Sequence, residues 1–504
     1  MIQSLLYGLL GLATLAYAIE YVFISKDDAK EPPRLHSKIP LVGHLFGFVV
    51  HGPGYYHTRF QESVNSEVYT VGIANLKIYA STSARLLPAI QRHAKTLSFT
   101  PLLQVVAQKW GDAKGVTLDL FGDAQWMSGF GQTMKKALAP GARLDEQNWR
   151  MGNRVLADME ELVENSGGQI KLLAWSRHVI TQASSCGVYG IKHPFIDPEV
   201  EEAWWKWHDC LITQLTLSGL SRFGLNGTDA QQKVWDAHAA YFKNIPSDAS
   251  DFVTGRWKLF QESGMSEEDC IKQQGILPIV TLSNTVPTFY WTIWELFSRP
   301  TLLGEVRTEL QAQAIIKTDD GFALDLASLK TKCPLLLSVM QETQRTRHIH
   351  AATRKVLKDT LLDDKYLLKE GSYLQVAPYP IHFNPKVWGP KASEFDPYRF
   401  VKPSDTKQSN SDFLAWGAPP HLCPARQFAA TEILILLALM AMRVDLAPTT
   451  GIWEKNPALD PKDPITILNP KKDVTIQVTA KTKHAGKWTL IMSESKIRVP
   501  LASG

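Results

Sequence analysis

Apolar residues fill the chain from Met1 to about Ile24, and Glu20 is the one charged side chain among them. A helix of that length reaches across the ~30 Å hydrocarbon core of a bilayer. A buried core helix is the alternative, whereas a cleaved signal peptide would need a basic start and a small-residue cleavage site, and neither is evident. The pattern predicts a transmembrane anchor over residues 1–24.

The next stretch, residues 25–45, carries Pro and Gly at a spacing that forbids a continuous helix and predicts a linker. Basic residues follow the apolar run at Lys26, Lys30 and Arg34. By the positive-inside rule they place the bulk of the chain in the cytosol. By length, the chain is enough for two average domains or one large one, and residues 46–504 are predicted to form one domain.

Within this domain, alternating apolar and polar positions predict a β-hairpin from residues 67–72 and 76–80, and residues 82–350 have mostly helical spacing. Predicted helices run from Ala124 to Leu138, from Glu199 to about Leu217 and from Pro334 to about Arg347. Short strands are predicted at 354–357, 474–478 and 488–491. The predicted fold class is therefore mainly α with small β-sheets.

One predicted helix is longer than the others. It begins at Ser266, where the following acidic residues form a capping box, and reaches about Ser298. Pro278 and Pro287 interrupt it, and each removes a hydrogen bond and collides with the carbonyl four residues back. We expect a kinked, apolar, central helix in which the carbonyl of Ser283 is freed.

Composition excludes several classes of function. The 504 residues carry a formal net charge of only +4, so nothing suggests a nucleic-acid partner. Five cysteines are scattered without the spacing of metal ligands. They argue for a reducing compartment and against a disulfide framework or a zinc site.

One of these cysteines, Cys423, lies in a Gly/Pro-rich loop before an almost wholly apolar helix predicted from Ala425 to about Met442. Pro424 suits the first helical position, and the positive end of the helix favours a thiolate. A shielded thiolate is the axial ligand that haem iron takes when the O–O bond is to be cleaved. A buried, inert cysteine is the alternative.

The loop around Cys423 resembles the haem-binding loop of the cytochromes P-450. It has the family's aromatic residue seven positions before the Cys, its basic residue two before and its small residue six after, as Trp416, His421 and Ala429. Pro419 and Ala425 stand where the family usually has Gly, which tolerates backbone angles that Pro and Ala do not. The loop geometry is therefore expected to differ from the usual one.

Two further motifs carry the same resemblance. Glu342 and Arg345 lie three apart on one helix face and can pair, although a surface pair is the alternative. The family follows this Glu-x-x-Arg with an aromatic-Pro-x-Arg-Phe segment, which is present here from Phe395 to Phe400. The resemblance implies that Glu342, Arg345 and Arg399 form a buried triad that locks the loop beneath the haem.

The resemblance also implies the residues that hold haem b. Cys423 would bind the iron, with Trp416 packed against the site. Arg354, in the slot from which the family's Arg reaches a propionate, suits a carboxylate by its bidentate geometry. His421 and Lys136 would hold propionates too, with a surface position as the alternative for Arg354 and for Lys136.

Most members of this family carry an acid–alcohol pair on the long helix. Counting back from Trp291 places Asn284 in the alcohol slot and Ser283 in the acid slot. An amide can donate a hydrogen bond but cannot relay protons in the ordinary way, so Thr281 or a water on the Ser283 carbonyl would substitute. Alternatively, Asn284 only packs within the kink. The block from Ser283 to Trp291 resembles the branch of sterol 7α-hydroxylases and prostacyclin synthase, whose substrates are large and apolar.

The resemblance therefore implies an anchored haem-thiolate monooxygenase of the endoplasmic reticulum membrane. It would insert one oxygen atom of O2 into a terpenoid, steroid, polyketide or alkaloid-like substrate, with electrons from NADPH through a reductase, in fungal natural-product metabolism. One alternative is an isomerase or dehydratase that needs no external electrons, and another is a non-catalytic haem sensor. By analogy, the pocket would be formed near residues 96–115, 207–225, 276–288, 346–353 and 484–490.

Overall fold

A computed structural model describes residues 2–24, 27–37, 39–51, 55, 66–216, 227–401, 409, 411–417, 421–460, 465–492 and 496–503. Its helices are α1 (Ile2–Ile24), α2 (Gly43–His51), α3 (Leu87–Arg92), α4 (Thr100–Gly111), α5 (Gly115–Gly122), α6 (Ala124–Ala137), α7 (Ala142–Glu164), α8 (Leu172–Tyr189), α9 (Pro198–His208), α10 (Leu211–Thr216), α11 (Thr228–Lys243), α12 (Asp251–Glu262), α13 (Glu267–Gly275), α14 (Leu277–Thr281), α15 (Thr285–Phe297), α16 (Pro300–Gln313), α17 (Leu326–Lys332), α18 (Pro334–Arg347), α19 (Pro378–His382), α20 (Pro385–Trp388) and α21 (Arg426–Arg443).

The strands are short and form four small sheets. They are β1 (Val68–Ile73), β2 (Leu76–Ser81), β3 (Leu97–Ser98), β4 (Gln169–Lys171), β5 (Ile315–Lys317), β6 (Gly321–Asp325), β7 (Ala352–Val356), β8 (Thr360–Leu362), β9 (Tyr366–Leu368), β10 (Tyr373–Val376), β11 (Val444–Pro448), β12 (Thr475–Ala480) and β13 (Lys487–Ile491). The sheet orders are β1-β2-β10-β7-β3, β11-β12-β4, β13-β6-β5 and β8-β9. The mainly α class with small sheets is thus confirmed.

The predicted anchor corresponds to α1. Among the residues that the structure describes, no helix is both long enough and apolar enough to cross a membrane. The transmembrane part of the prediction therefore gains no support here.

The predicted linker is docked onto the largest sheet. The N–H of Leu35 donates to the carbonyl of Thr70, and the N–H of Thr70 donates to the carbonyl of Pro33, both at 2.9 Å. Lys77 of β2 pairs with Glu31 at 2.7 Å. The prolines do prevent a helix over most of this stretch, although α2 begins at Gly43, inside the predicted linker.

The predicted hairpin is confirmed, since β1 and β2 pair antiparallel from Val68 with Ser81 to Ile73 with Leu76. The helix predicted from Glu199 to Leu217 is instead two helices, α9 and α10, which are separated at Asp209 and Cys210. Leu217 lies outside the described residues.

The long central helix is not continuous. It is divided into α13, α14 and α15, with breaks at Ile276 and at residues 282–284. Ser266 does cap its start, because the Ser266 hydroxyl accepts from the N–H of Asp269 at 3.1 Å. Pro278 lies in the first turn of α14 and Pro287 in the first turn of α15, where a missing N–H removes no intrahelical bond. The prolines therefore begin new helices instead of kinking an old one.

The helix that follows the Cys loop lies at the centre of the core. Nearly all of α21 is buried, whichever face is considered. It contacts α7, α15, α16 and α17. A helix that is apolar on every side needs neighbours on every side, which agrees with its uniformly apolar sequence.

Candidate active site

Cys423 lies three residues before α21, in a loop whose backbone is held closed. The Cys423 N–H donates to the carbonyl of Trp416 at 2.8 Å. Gly417 turns the loop with a φ of +92°, and a Cβ there would lie 2.8 Å from the carbonyl oxygen of His421. Glycine is therefore required at this position. Pro419, the first departure from the family pattern, lies outside the described residues.

The helix start differs from the prediction. Pro424 and Ala425 form a turn, and α21 begins at Arg426. Burial raises the pKa of Cys423, while the N–H of Ala425 and the charge of Arg426 lower it by less. The helix start therefore favours the thiolate as expected, but in the chain alone burial outweighs it. A bound metal ion removes the proton from a coordinating thiol outright.

The predicted charged triad is assembled. The guanidinium of Arg345 makes two hydrogen bonds of 2.7 Å to the two oxygens of Glu342. Arg399 donates to Glu342 Oε1 at 3.0 Å. The side chains of Glu342 and Arg345 are fully buried. Arg345 also donates to the carbonyls of His382 and Ala392, so its remaining donors are satisfied.

One residue that connects this triad to the Cys loop was not predicted. His382 is fully buried and its Nε2 accepts from the N–H of Leu414 at 2.8 Å. Its Nδ1 therefore carries the proton and donates to the carbonyl of Arg345 at 3.0 Å. Burial, with the nearby His348 and Arg345, holds the pKa of His382 well below its ordinary value. The segment from Ile381 to Pro390 resembles the family, but the sequence assigned His382 no role.

Arg354, His421 and Trp416 form a cluster of polar side chains at the loop. Arg354 is buried on β7, and no carboxylate among the described residues pairs with it, so burial lowers its pKa to about 10. Phe99 lies between it and His421, 5.5 Å from the guanidinium and 5.6 Å from the imidazole ring. Trp416 is buried, and its indole N–H has no hydrogen-bond partner in the described part of the chain.

Of the two lysines that end α6, Lys135 is the one whose charge reaches this cluster. Desolvation, followed by the charges of Arg354 and Lys135, lowers the pKa of His421 to about 4. Both lysines are exposed, and neither lines the cavity described next. Lys136 therefore stays a prediction.

One cavity joins the Cys loop to the break in the central helix. Cys423, Trp416 and His421 line one part of it, and Thr281 and Asn284 line another. Most of the remaining lining is apolar and includes Leu138, Val188, Phe252, Val280, Val376, Leu414, Phe428, Ile433 and Ile467. The cavity therefore combines a cysteine sulphur, a few polar groups and an apolar wall.

The threonine hydroxyls along this wall are already engaged. Those of Thr281, Thr285 and Thr288 donate to the carbonyls one turn back, at 3.3, 3.4 and 2.8 Å. In this arrangement they present oxygen lone pairs, and not protons, to the cavity. Of the two predicted residues, Asn284 and Thr281, only Asn284 therefore still has a donor for the cavity.

Some lining segments were predicted and others were not. Segments 276–288 and 346–353 contribute, through Asn284 and His350 among others. Residues 96–115 and 484–490 do not line it, and the second segment includes most of β13, which pairs with β6. Residues 466 and 467 line it instead. Part of the predicted segment 207–225 lies outside the described residues.

Cys423 lies at the cavity beside a buried arginine that has no carboxylate partner and an indole N–H that has no hydrogen-bond partner among the described residues. These groups fit a haem, whose two carboxylates would use such donors. The fold and the site thus define a haem-thiolate protein. Comparison with known proteins agrees. The family model for cytochrome P-450 matches residues 232–476. The chain is 30% identical to the cytochrome P-450 monooxygenase nodJ of Hypoxylon pulicicidum over 495 residues. This alignment covers 95% of each protein.

The chain belongs to the cytochrome P-450 family and is an oxidoreductase of the monooxygenase type. A cytochrome P-450 monooxygenase of Gibberella zeae is 23% identical over 88% of this chain and 87% of its own length. The human 7-alpha-hydroxycholest-4-en-3-one 12-alpha-hydroxylase is 28% identical over 44% of this chain and 46% of its own length. The resemblance to fungal enzymes and to sterol hydroxylases is therefore confirmed.

Proposed function

We propose that the protein inserts one oxygen atom of O2 into a large apolar substrate, with electrons from NADPH delivered through a reductase. The single observation that carries this proposal is the cavity, in which an apolar wall encloses the space between Cys423 and Asn284. A wall of this kind takes up an apolar molecule and excludes water from the reacting carbon.

The side chains have separate roles in this proposal. Cys423 would supply its sulphur to the haem iron, and Arg354, His421 and the indole N–H of Trp416 would hold the two carboxylates. Lys136 stays a candidate to hold a carboxylate at the same edge, next to Lys135, whose charge acts on His421. When bound, the haem supplies the activation of O2. Glu342, Arg345 and Arg399 keep the loop in place.

On the opposite side of the cavity, the amide of Asn284 donates a hydrogen bond and Thr281 offers an oxygen acceptor. Neither group is a carboxylic acid, so neither delivers a proton in the ordinary way, and water would relay it between them. Water held at the break between α14 and α15 would serve, because residues 282–284 form a turn between the two helices.

The substrate class follows from the wall and from the relatives. The printed names of the sterol 12α-hydroxylases refer to steroid substrates, and nodJ is a fungal monooxygenase. We therefore propose a terpenoid, steroid or comparably large apolar fungal metabolite. The oxidised position is set by the apolar side chains that line the cavity.

An isomerase or dehydratase without external electrons is the second candidate, and one observation favours it: an amide occupies the slot of the usual alcohol, and nearby threonine hydroxyls already donate elsewhere. Turnover of candidate substrates with and without NADPH and reductase separates the two. Product that requires NADPH supports the monooxygenase, whereas full turnover without NADPH establishes the isomerase.

Attachment to the endoplasmic reticulum membrane, with the catalytic domain in the cytosol, also stays a proposal. It is supported by large apolar side chains that α1 and α2 expose, among them Leu10, Tyr21 and Phe46. Fractionation of cells that express the full chain tests it. Recovery of the protein in the microsomal fraction is expected, and its release by alkaline carbonate would exclude an integral anchor.

A further inference from the structure

Asn284 does not cap the helix that it precedes. Asn is favoured at such a position because its side-chain oxygen can accept from a backbone N–H of the first turn. Asn284 comes directly before α15, yet its side chain makes no such bond. Its Oδ1 instead accepts two hydrogen bonds from Thr466, one from the backbone N–H and one from the hydroxyl, both at 3.0 Å.

These two bonds decide which end of the amide faces the cavity. A backbone N–H can only donate, so the atom that meets the N–H of Thr466 has to be the amide oxygen. The amino group of Asn284 therefore points away from Thr466. Asn284 lines the cavity and its side chain is exposed, while Ser283 and Thr285 on either side are buried. Its N–H donors are thus available to whatever occupies the cavity.

Thr466 is itself held firmly. Its carbonyl accepts from the N–H of Ile349 at 3.0 Å, in the segment that follows α18. Two residues further on, the carbonyl of Leu468 accepts from the indole N–H of Trp291 at 2.8 Å. The segment that carries Thr466 is therefore fixed to α15 and to the segment after α18, and both contribute to the cavity wall.

We propose that Thr466 is a positioning residue, which holds the amide of Asn284 so that its amino group hydrogen-bonds to an oxygen acceptor bound in the cavity. A flipped amide would bring its amino group against the N–H of Thr466, and two donors would then face each other. The inference deepens the proposed function and rests on it, because a haem is required at the Cys423 end of the cavity.

The C–O stretch of the reduced carbon monoxide complex measures this hydrogen bond, because a donor to the bound oxygen end lowers the stretching frequency. The full-length, haem-loaded protein is compared with four variants. Asn284→Ala removes the amide, and Asn284→Asp keeps an acceptor for Thr466 but offers no N–H. Thr466→Val removes the hydroxyl and keeps the shape, and Thr466→Ser restores the hydroxyl.

Both Asn284 variants should shift the C–O stretch to higher frequency. Thr466→Val should broaden the band and move part of its intensity to the Asn284→Ala position, because one of the two bonds that orient the amide is lost. Thr466→Ser should keep the wild-type band. If Thr466→Val does not take up haem, Thr466→Ala lacks the same hydroxyl and replaces it.

An unchanged stretch in Asn284→Ala would overturn the proposal, as would a Thr466→Val or Thr466→Ala band that matches wild type. A Thr466→Ser band that shifts like the one from Thr466→Val would overturn it too. Failure of the underlying function is recognised separately, since wild type would then lack the red-shifted Soret band of a thiolate-bound haem.

Discussion

His382 and Leu414 are joined by a hydrogen bond of 2.8 Å in which the imidazole Nε2 accepts from the backbone N–H. The same ring donates from Nδ1 to the carbonyl of Arg345, in the charged triad. One buried side chain thus connects α18 to the first residues of the Cys loop. The triad and the Cys loop are therefore held together by hydrogen bonds through His382.

Replacing His382 with Phe should lower haem retention. The variant leaves the N–H of Leu414 and the carbonyl of Arg345 without their partner, at a cost of about 1–3 kcal/mol for each buried group. The ratio of Soret absorbance to folded protein, with urea unfolding of the same samples, measures both effects. His238→Phe is the control, since His238 is equally buried but lies on α11. If His238→Phe lowered the ratio of Soret absorbance to folded protein as much as His382→Phe does, the hydrogen bonds of His382 to the loop would have no specific role in haem retention.

The cost of His382→Phe should depend on pH. The pKa of His382 in the folded chain is well below the ordinary 6.5 because the ring is buried. Below pH 6.5 the unfolded chain takes up a proton that the folded chain refuses, so this contribution to stability is complete above 6.5 and is lost as the pH falls. The difference in unfolding free energy between wild type and variant should shrink by up to about 1.4 kcal/mol per pH unit there. A difference that is constant from pH 7.5 to 5 contradicts this.

Glu342→Ala should prevent stable haem binding. It leaves Arg345 buried without its carboxylate, and breaking a buried pair in this way costs about 3–5 kcal/mol. Purified variant should contain little haem and unfold at lower urea concentration. Glu202→Ala is the matched control, because Glu202 pairs with Lys206 on the surface, where such a pair contributes about 0–1 kcal/mol. Normal haem content in Glu342→Ala would show that the triad is dispensable.

Arg354→Leu should act in opposite directions on the two forms of the protein. Arg354 is buried and has no carboxylate partner among the described residues, so the haem-free chain should be at least as stable with Leu. The haem-loaded form should lose haem faster, because a partner of its carboxylates is missing. Thermal unfolding of the haem-free chain and haem transfer to apomyoglobin measure the two effects. An equal loss in both would reduce Arg354 to a packing residue.

The neighbouring lysines give this test an internal comparison. Lys136→Met should speed haem transfer, as its predicted contact with a haem carboxylate requires, and Lys135→Met is the matched control because both side chains are exposed. Equal rates for the two variants would contradict a specific role of Lys136.

The sequence predicted those parts of the structure that depend on local signals. The β1–β2 hairpin, α18 and most of α21 follow from spacing and composition, and the order of the Glu-x-x-Arg and Cys motifs identified the family. The long helix was wrong in its continuity, because a proline disrupts a helix only when its N–H would have been used, and Pro278 and Pro287 occur where new helices begin.

The parts that the sequence did not predict are contacts between distant segments. Thr466 meets Asn284 across 182 residues, and His382 meets Leu414 across 32. Neither has a spacing or a composition that marks it.

The largest sheet also has a consequence for how the chain reaches this structure. Its second strand pairs in parallel with the tenth, so that Ile78 lies opposite Tyr373. The early hairpin is complete within 14 residues of Val68, but one edge of β2 stays open until almost three quarters of the chain has been made. Long-range pairing of this kind slows folding, and an open edge invites pairing with other chains. Slow expression at low temperature lowers the concentration of chains whose β2 edge is still unpaired. It should therefore raise the yield of native protein.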